Sequence, residues 1–222
     1  MKSITHTEKR GFLFLAIVLL ISLFFGYSDV TYFDTKIAQE DGAVEYSTAI
    51  LLVCISILCF YRFFTTSKNK SWFWKLGTLG FALLFLFGAG EEISWGQRIF
   101  NIESSEFFLK NNAQNETNLH NLVVGDTKIN KLIFSQLLMV VMVVYLIIIP
   151  LIYRKSEWVR NLVNKFAVPV VQWHHTIAFL ATTVLVTLIP SSRKWEVYEL
   201  AFGLIFLLIF LNPFNKEILP KN

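Results

Sequence analysis

The chain has 222 residues, of which 55% are hydrophobic and only 16% are charged. A soluble domain is typically about half apolar and about a quarter charged, so this shortage of charge argues against a soluble globular protein. The formal net charge of +4 comes from bases spread over several loops. Without a basic stripe or a recognition motif, nucleic acid is not an expected partner.

Six apolar blocks are candidate membrane-spanning helices, because about 20 apolar residues cross the hydrocarbon core of a bilayer. They comprise residues 12–27, 44–64, 72–100, 132–153, 168–189 and 195–212. The third span is expected to continue as helix to Phe100, and Pro169 suits the first turn of the fifth. Because backbone groups in lipid must be satisfied within the segment, the sequence predicts an all-α integral membrane bundle of six transmembrane helices. A single transmembrane domain would cover residues 1–222.

The charged residues between the spans alternate from one side to the other. Most of the Lys and Arg lie in the N-terminal segment, in the loops around residues 62–75 and 154–165, and in the C-terminal segment. Nearly all of the Asp and Glu lie in the other loops, one of which is a long outer loop at residues 101–131. Loops rich in Lys and Arg stay in the cytoplasm, so both termini are predicted to be cytoplasmic.

A short amphipathic helix is predicted at residues 156–166, on the cytoplasmic side. Its apolar face is formed by Trp158, Val159, Leu162, Val163 and Phe166, which recur at helical spacing. This pattern is typical of a helix that lies on the inner leaflet, and a helix that binds a protein partner is the alternative. On the same side, His174 and His175 are expected to anchor the fifth span at the membrane interface.

Four polar clusters are predicted to converge on the outer face. They contain the carboxylates of Glu45, Glu91, Glu92, Glu116 and Glu199, the hydroxyl of Ser94 and the imidazole of His120. Glu116 and His120 are four residues apart, so one helical face would present both groups. Glu45 and Glu199 lie inside apolar blocks, where an ionised carboxylate is costly unless it is paired or wetted.

Carboxylate and imidazole groups bind divalent metals such as zinc, and a metal with an open coordination position activates water. The predicted metal ligands are Glu91, Glu92, Glu116 and His120. The predicted catalytic residues are Ser94 and the two candidate general bases, Glu45 and Glu199. The alternative is helix-end chemistry, in which Glu45 and Glu199 stabilise helix N-termini and Glu91 only neutralises Arg98.

Two strings resemble those of a bacterial family of multi-pass membrane proteins: Gly-Glu-Glu-Ile-Ser-Trp-Gly-Gln-Arg at 90–98 and Asn-Glu-Thr-Asn-Leu-His-Asn at 115–121. This resemblance implies a bacterial inner membrane and gives no activity. The acidic segment at 40–45 is similar in layout to one in the alkaline ceramidase family of membrane hydrolases, which hold zinc with histidines. Here Glu196 and Glu199 stand where that family has its last histidines. The resemblance therefore implies only metal-assisted hydrolysis within the bilayer, and not ceramidase activity.

Three functions are open at this point. The first is metal-assisted hydrolysis of a lipid or lipid-linked substrate that enters from the outer leaflet. The second is proton-coupled or cation-coupled transport of a small solute, which predicts polar residues in the middle of the spans. The third is a non-catalytic subunit whose long outer loop binds a membrane or periplasmic protein. The lipid bilayer is a predicted partner in all three.

Overall fold

The computed structural model describes residues 3–119, 121–124, 127–128 and 137–219. The longer helices are α1 (His6–Ser28), α2 (Ala43–Thr66), α3 (Trp72–Glu92), α4 (Leu138–Lys155), α5 (Glu157–Lys165), α6 (Trp173–Leu188) and α7 (Lys194–Leu211). Shorter helical segments are Val30–Tyr32, Phe33–Ile37, Ser67–Asn69, Ser94–Gly96, Gln97–Phe100, Glu106–Asn111 and Lys216–Ile218. A two-stranded antiparallel hairpin pairs Val123–Val124 with Thr127–Lys128.

Within the described residues, four helices are long and apolar enough to cross a membrane, namely α1, α2, α3 and α4. Many of their large apolar side chains point away from the bundle, such as Leu20 (66% exposed) and Phe64 (75% exposed). A surface of this kind suits hydrocarbon, which indicates a lipid bilayer around the protein. The other two predicted spans are helical as well, with 16 residues in α6 and 18 in α7. The number of six spans and their orientation remain predictions.

Helix α7 forms the centre of the bundle. It packs against α1, α2 and α6, and ten of its residues are buried. A helix that is apolar on all sides belongs in an interior, which explains its place. Gly203 lets α2 come close, because a Cβ atom at this position would lie 3.3 Å from the Cβ of Leu51.

One end of the bundle gathers the segments that are rich in Lys and Arg. Arg62, late in α2, donates a hydrogen bond to the carbonyl oxygen of Phe210 in α7 (2.6 Å). Trp74, early in α3, donates to the carbonyl oxygen of Ile218 (3.0 Å). Tyr153 in α4 donates to Glu217 (3.1 Å). We call this the basic end, and the opposite end, where α3 finishes and α2 and α7 begin, the acidic end.

The predicted continuation of the third span as helix to Phe100 is wrong. Helix α3 ends at Glu92, and Ser94, Trp95 and Gly96 all have positive φ angles (46°, 55° and 77°). These values interrupt the helix before the short segment Gln97–Phe100. Glu91, Ser94 and Arg98 therefore do not share one continuous helical face.

The predicted start of the fifth span at residue 168 is also wrong, because α6 begins at Trp173. The segment at 168–172 is not helical, and its backbone bonds to the C-terminal segment instead. Val170 donates its N–H to Oδ1 of Asn215 (2.8 Å) and accepts from the N–H of Phe214 (2.7 Å). These bonds satisfy backbone groups that a helix would otherwise use.

The predicted amphipathic helix is present as α5, and the side chain of Ser156 caps its first turn. Val163 is buried against the bundle, whereas Trp158 is 73% exposed. Close after α5, the backbone of Phe166 touches α3 at Gly77, where a Cβ atom would lie 1.8 Å from the Phe166 carbonyl oxygen. The position of α5 on the inner leaflet remains a prediction.

A buried Glu/His cluster and a polar network at opposite ends

Glu8 is buried in the first turn of α1, and local hydrogen bonds fix its side chain. The Thr5 hydroxyl accepts from the N–H of Glu8 (3.2 Å). In return, Oε2 of Glu8 accepts from the backbone N–H of Thr5 and from its hydroxyl, both at 2.7 Å. This reciprocal capping box leaves Oε1 of the same carboxylate directed towards α6.

Two adjacent histidines in the first turn of α6 meet this oxygen. Nε2 of His174 lies 2.8 Å from Oε1 of Glu8, and Nε2 of His175 lies 2.9 Å from it. The His175 contact lacks hydrogen-bond geometry, and neither ring nitrogen of His175 has a hydrogen-bond partner among the described residues. Both rings are buried, so the expectation that these histidines anchor the helix at the membrane interface is wrong.

These three side chains could hold a metal ion. Their ligand atoms all lie within 4.8 Å of one another, and they form the one such group found in the described part of the chain. Two imidazoles and one carboxylate make up a ligand set of catalytic zinc sites, which keep a further position open for water or substrate. The bonds from Thr5 would orient the carboxylate, as outer contacts do around metal ligands.

A cavity of about 260 Å³ adjoins the cluster at the basic end. Its walls are formed by Thr5, Thr7, Glu8, Leu208, Leu211, Asn212 and Lys216. Asn212 lies beside the Glu8 carboxylate and is 4% exposed. Within the described residues, neither the nitrogen nor the oxygen of its amide has a hydrogen-bond partner.

At the acidic end, Ser94 and Glu116 are in direct contact. The Ser94 hydroxyl donates to Oε2 of Glu116, and Asn118 donates to the same oxygen at 2.9 Å. Arg98 pairs with Oε1 of Glu116 and with Asp41, which precedes α2. Protein donors thus engage both carboxylate oxygens of Glu116, and the Arg98 guanidinium is one of these donors.

Glu91 connects the end of α3 to the loop that follows it. Its Oε1 accepts from the indole N–H of Trp95 (2.9 Å), and its Oε2 accepts from the backbone N–H of Leu119 (2.6 Å). Glu91 is buried, so these bonds matter more than they would in water. The contacts described for Glu91 and Glu116 therefore hold the loop in place.

The other predicted carboxylates gather near the start of α7. Glu199 interacts electrostatically with Glu92, Glu196 and Glu45. Glu45 also accepts a hydrogen bond from the backbone N–H of Asp41 (2.6 Å). The fold therefore brings Glu45, Glu92 and Glu199 into one neighbourhood, although they come from three different helices.

His120 lies outside the described residues. Its predicted role as a metal ligand with Glu91, Glu92 and Glu116 stays a prediction, as do the catalytic roles of Ser94, Glu45 and Glu199. The structure places these described residues at the acidic end, in two groups. Ser94 and Glu116 belong to the network around Arg98, whereas Glu45, Glu92 and Glu199 belong to the group at the start of α7.

Sequence reasoning missed the cluster at the basic end. One local signal was present, because Thr5 and Glu8 have the spacing of a capping box. The sequence could not pair Glu8 with His174, since 166 residues separate them.

No protein-family model matches the chain, and no match is found among curated proteins or solved structures. The chain is a helical protein of membrane type, with a buried Glu/His cluster that could hold a metal ion.

Proposed function

We propose that this protein is a membrane-embedded hydrolase that uses a divalent metal, such as zinc, to cleave a lipid. The observation that carries the proposal is the convergence of Glu8, His174 and His175 in a buried position beside a cavity. Ionisable groups are expensive inside a membrane protein and mark functional sites. The ligand set also matches that of zinc hydrolases.

The proposed setting is a bacterial inner membrane that the chain crosses six times, with both termini in the cytoplasm. Four apolar helices of sufficient length support this setting. The hydrogen bonds that join the basic segments at one end support it as well. Because positive loops stay in the cytoplasm, the basic end and its cavity would face the inner leaflet.

The chemistry divides between the ion and the chain. Glu8, His174 and His175 would hold the divalent metal, which would supply a water with a pKa of about 7. The chain contributes a carboxylate held still by Thr5 and an apolar wall of Leu208 and Leu211 for the acyl part of the substrate. Hydrolysis adds water across an ester bond, with hydroxide going to the acyl or phosphoryl centre and a proton to the leaving alcohol.

This location differs from the predicted outer site. Glu199 lies near the start of α7 and Asn212 follows its end, so about 20 Å of helix separates them. Glu45, Glu199 and Ser94 consequently lie too far from the basic end to act as base or nucleophile there.

The four histidines of the chain allow a direct test of the metal site. We expect about one zinc ion per chain in the purified full-length protein, with loss of the metal in His175→Ala. His6→Ala is the matched control, because His6 is exposed in the same turn of α1 as Glu8. Metal that persists in His175→Ala but disappears in His120→Ala would instead favour the ligand set predicted from the sequence, Glu91, Glu92, Glu116 and His120. A metal-free wild-type protein would reject both sites.

Hydrolysis is tested separately with phospholipid vesicles and mass spectrometry of the products. We expect lysolipid, fatty acid or free headgroup to appear with zinc and not with a chelator. Glu8→Gln should abolish the reaction, because it replaces the carboxylate ligand with a neutral amide. Stable zinc binding without lipid turnover would reject the hydrolase and leave a metal-binding membrane protein.

A further inference from the structure

We propose that the cavity beside Glu8 binds the phosphate group of an anionic phospholipid, and that it does so only when the charge of Glu8 is neutralised. The inference rests on the proposed function for the position of the metal. It names the substrate class that this site would take.

The charges that line the cavity give the first reason to expect an anionic ligand. Glu8 supplies a negative charge and Lys216 a positive one, so the empty site sums to zero. A divalent ion on Glu8, with both histidines neutral, raises the sum to two positive charges. Because a bound ion is the largest local charge in such a site, an anion is attracted to the loaded cavity and not to the empty one.

The hydrogen-bond donors in the cavity give the second reason to expect a phosphate group. The Asn212 amide is 4% exposed and lacks a hydrogen-bond partner within the described residues. Buried amides in folded proteins are nearly always bonded, and the group beside this one is the Glu8 carboxylate, which a bound metal ion would engage. The NH₂ group of Asn212 can donate to a phosphate oxygen or to an ester carbonyl. The hydroxyl of Thr7, in the wall of the same cavity, offers a second donor.

The apolar wall favours a lipid over free phosphate. Leu208 and Leu211 flank the polar residues, and Leu211 is 41% exposed. The apolar part of α1 begins only three residues after Glu8, so the cavity would lie where headgroups meet hydrocarbon. Lys9 and Arg10 are exposed there, and basic residues at this depth attract anionic lipids.

The test measures lipid binding by the full-length protein in neutral detergent micelles, which lack a charged surface. Fluorescent phosphatidylglycerol and phosphatidylcholine with identical acyl chains are titrated in zinc or in chelator. We expect phosphatidylglycerol to bind on the order of tenfold more tightly in zinc than in chelator, and phosphatidylcholine to show no change. Lys216→Gln should weaken the gain in phosphatidylglycerol binding that zinc produces, because the charge of the loaded cavity falls from two positive to one; Lys68→Gln, which changes an exposed lysine at the same end, should leave that gain unchanged.

Glu8→Gln makes this inference testable apart from the proposed function, because it removes the carboxylate charge without needing a metal. In chelator, this variant should bind phosphatidylglycerol more tightly than the wild type does. If no lipid is hydrolysed but Glu8→Gln still binds phosphatidylglycerol more tightly than the wild type in chelator, the hydrolase is rejected and the lipid site stands. Equal binding of both lipids, or an unaltered preference in Lys216→Gln, overturns the inference. Inorganic phosphate that binds as tightly as phosphatidylglycerol overturns its assignment to a lipid.

Discussion

At the scale of single residues, Thr5 shapes the cluster at the basic end from a position just before the first helix. Its hydrogen bonds to Glu8 span only three residues, so the carboxylate is oriented as soon as α1 forms. His174 and His175 occupy the first turn of α6 and approach as a pair. The cluster is therefore built from the first turns of two helices.

Gly77→Ala should weaken the contact between α3 and the end of α5. A Cβ atom there would lie 1.8 Å from the backbone oxygen of Phe166, so the two segments would have to separate. We expect the free energy of unfolding in detergent to fall by about 2 kcal/mol.

Gly80→Ala is the matched control in the same helix, because a Cβ at that position would have no atom of another described segment within 4 Å. Alanine is favoured over glycine in a helix by about 1 kcal/mol, so this variant should be neutral or stabilising. Equal losses in the two variants would contradict the close approach at Gly77.

At the scale of elements, contacts from the following loop determine where α3 ends. Positive φ angles at Ser94 and Trp95 persist only where the surrounding structure fixes them. Glu116 accepts a hydrogen bond from the hydroxyl of Ser94, and Glu91 accepts one from the indole N–H of Trp95. Hydropathy reveals the span but not this ending, because the residues that impose it lie up to 22 positions away.

Arg98→Gln should release the loop from the acidic end. Arg98 joins Asp41, ahead of α2, to the buried carboxylate of Glu116, and removing one partner of a buried pair leaves an uncompensated charge. We expect amide hydrogen exchange in the loop at 104–119 to become about tenfold faster, because local opening costs less free energy.

Lys110→Gln is the control for this loop. Lys110 and Glu106 form an ion pair at 3.8 Å with both side chains largely exposed, and such pairs add little stability. Amide exchange that stays slow in Arg98→Gln would show that the loop is held without the ion pairs that Arg98 forms with Asp41 and Glu116.

The helical elements were largely predictable from the sequence, and their boundaries were not. Apolar blocks locate α1, α2 and α7, since hydrocarbon demands continuous apolar helix. The predicted first span began at residue 12, whereas α1 begins at His6, because the capping box extends the helix into polar sequence. The start of α6 was missed because Asn215 binds the backbone of Val170, a contact that no local pattern reveals.

At the scale of the whole molecule, the two polar ends are joined through an apolar centre. Between its ends, the buried residues of α7 are apolar, apart from the single hydroxyl of Tyr198. A transporter would place polar groups at mid-depth, and this central helix offers no such series.

Cysteine labelling tests the orientation of the whole chain. In a background with Cys54→Ser and Cys59→Ala, single cysteines replace Lys68, Lys110 or Lys216. We expect a membrane-impermeant maleimide to label Lys110→Cys in cells with a permeabilised outer membrane and an intact inner membrane. The other two variants should react only after the inner membrane is opened, because basic loops stay in the cytoplasm. Labelling of Lys68→Cys and Lys110→Cys from the same side would contradict an odd number of crossings between them.

Every helix that packs around α7 precedes it in the chain. During synthesis, α1, α2 and α6 are therefore made before the partner that they share. Until α7 follows, the faces that it will cover can meet only lipid or one another. A polypeptide halted before Lys194 would thus lack the helix against which α1, α2 and α6 all pack, and the ribosome must complete this central helix before the assembly can close.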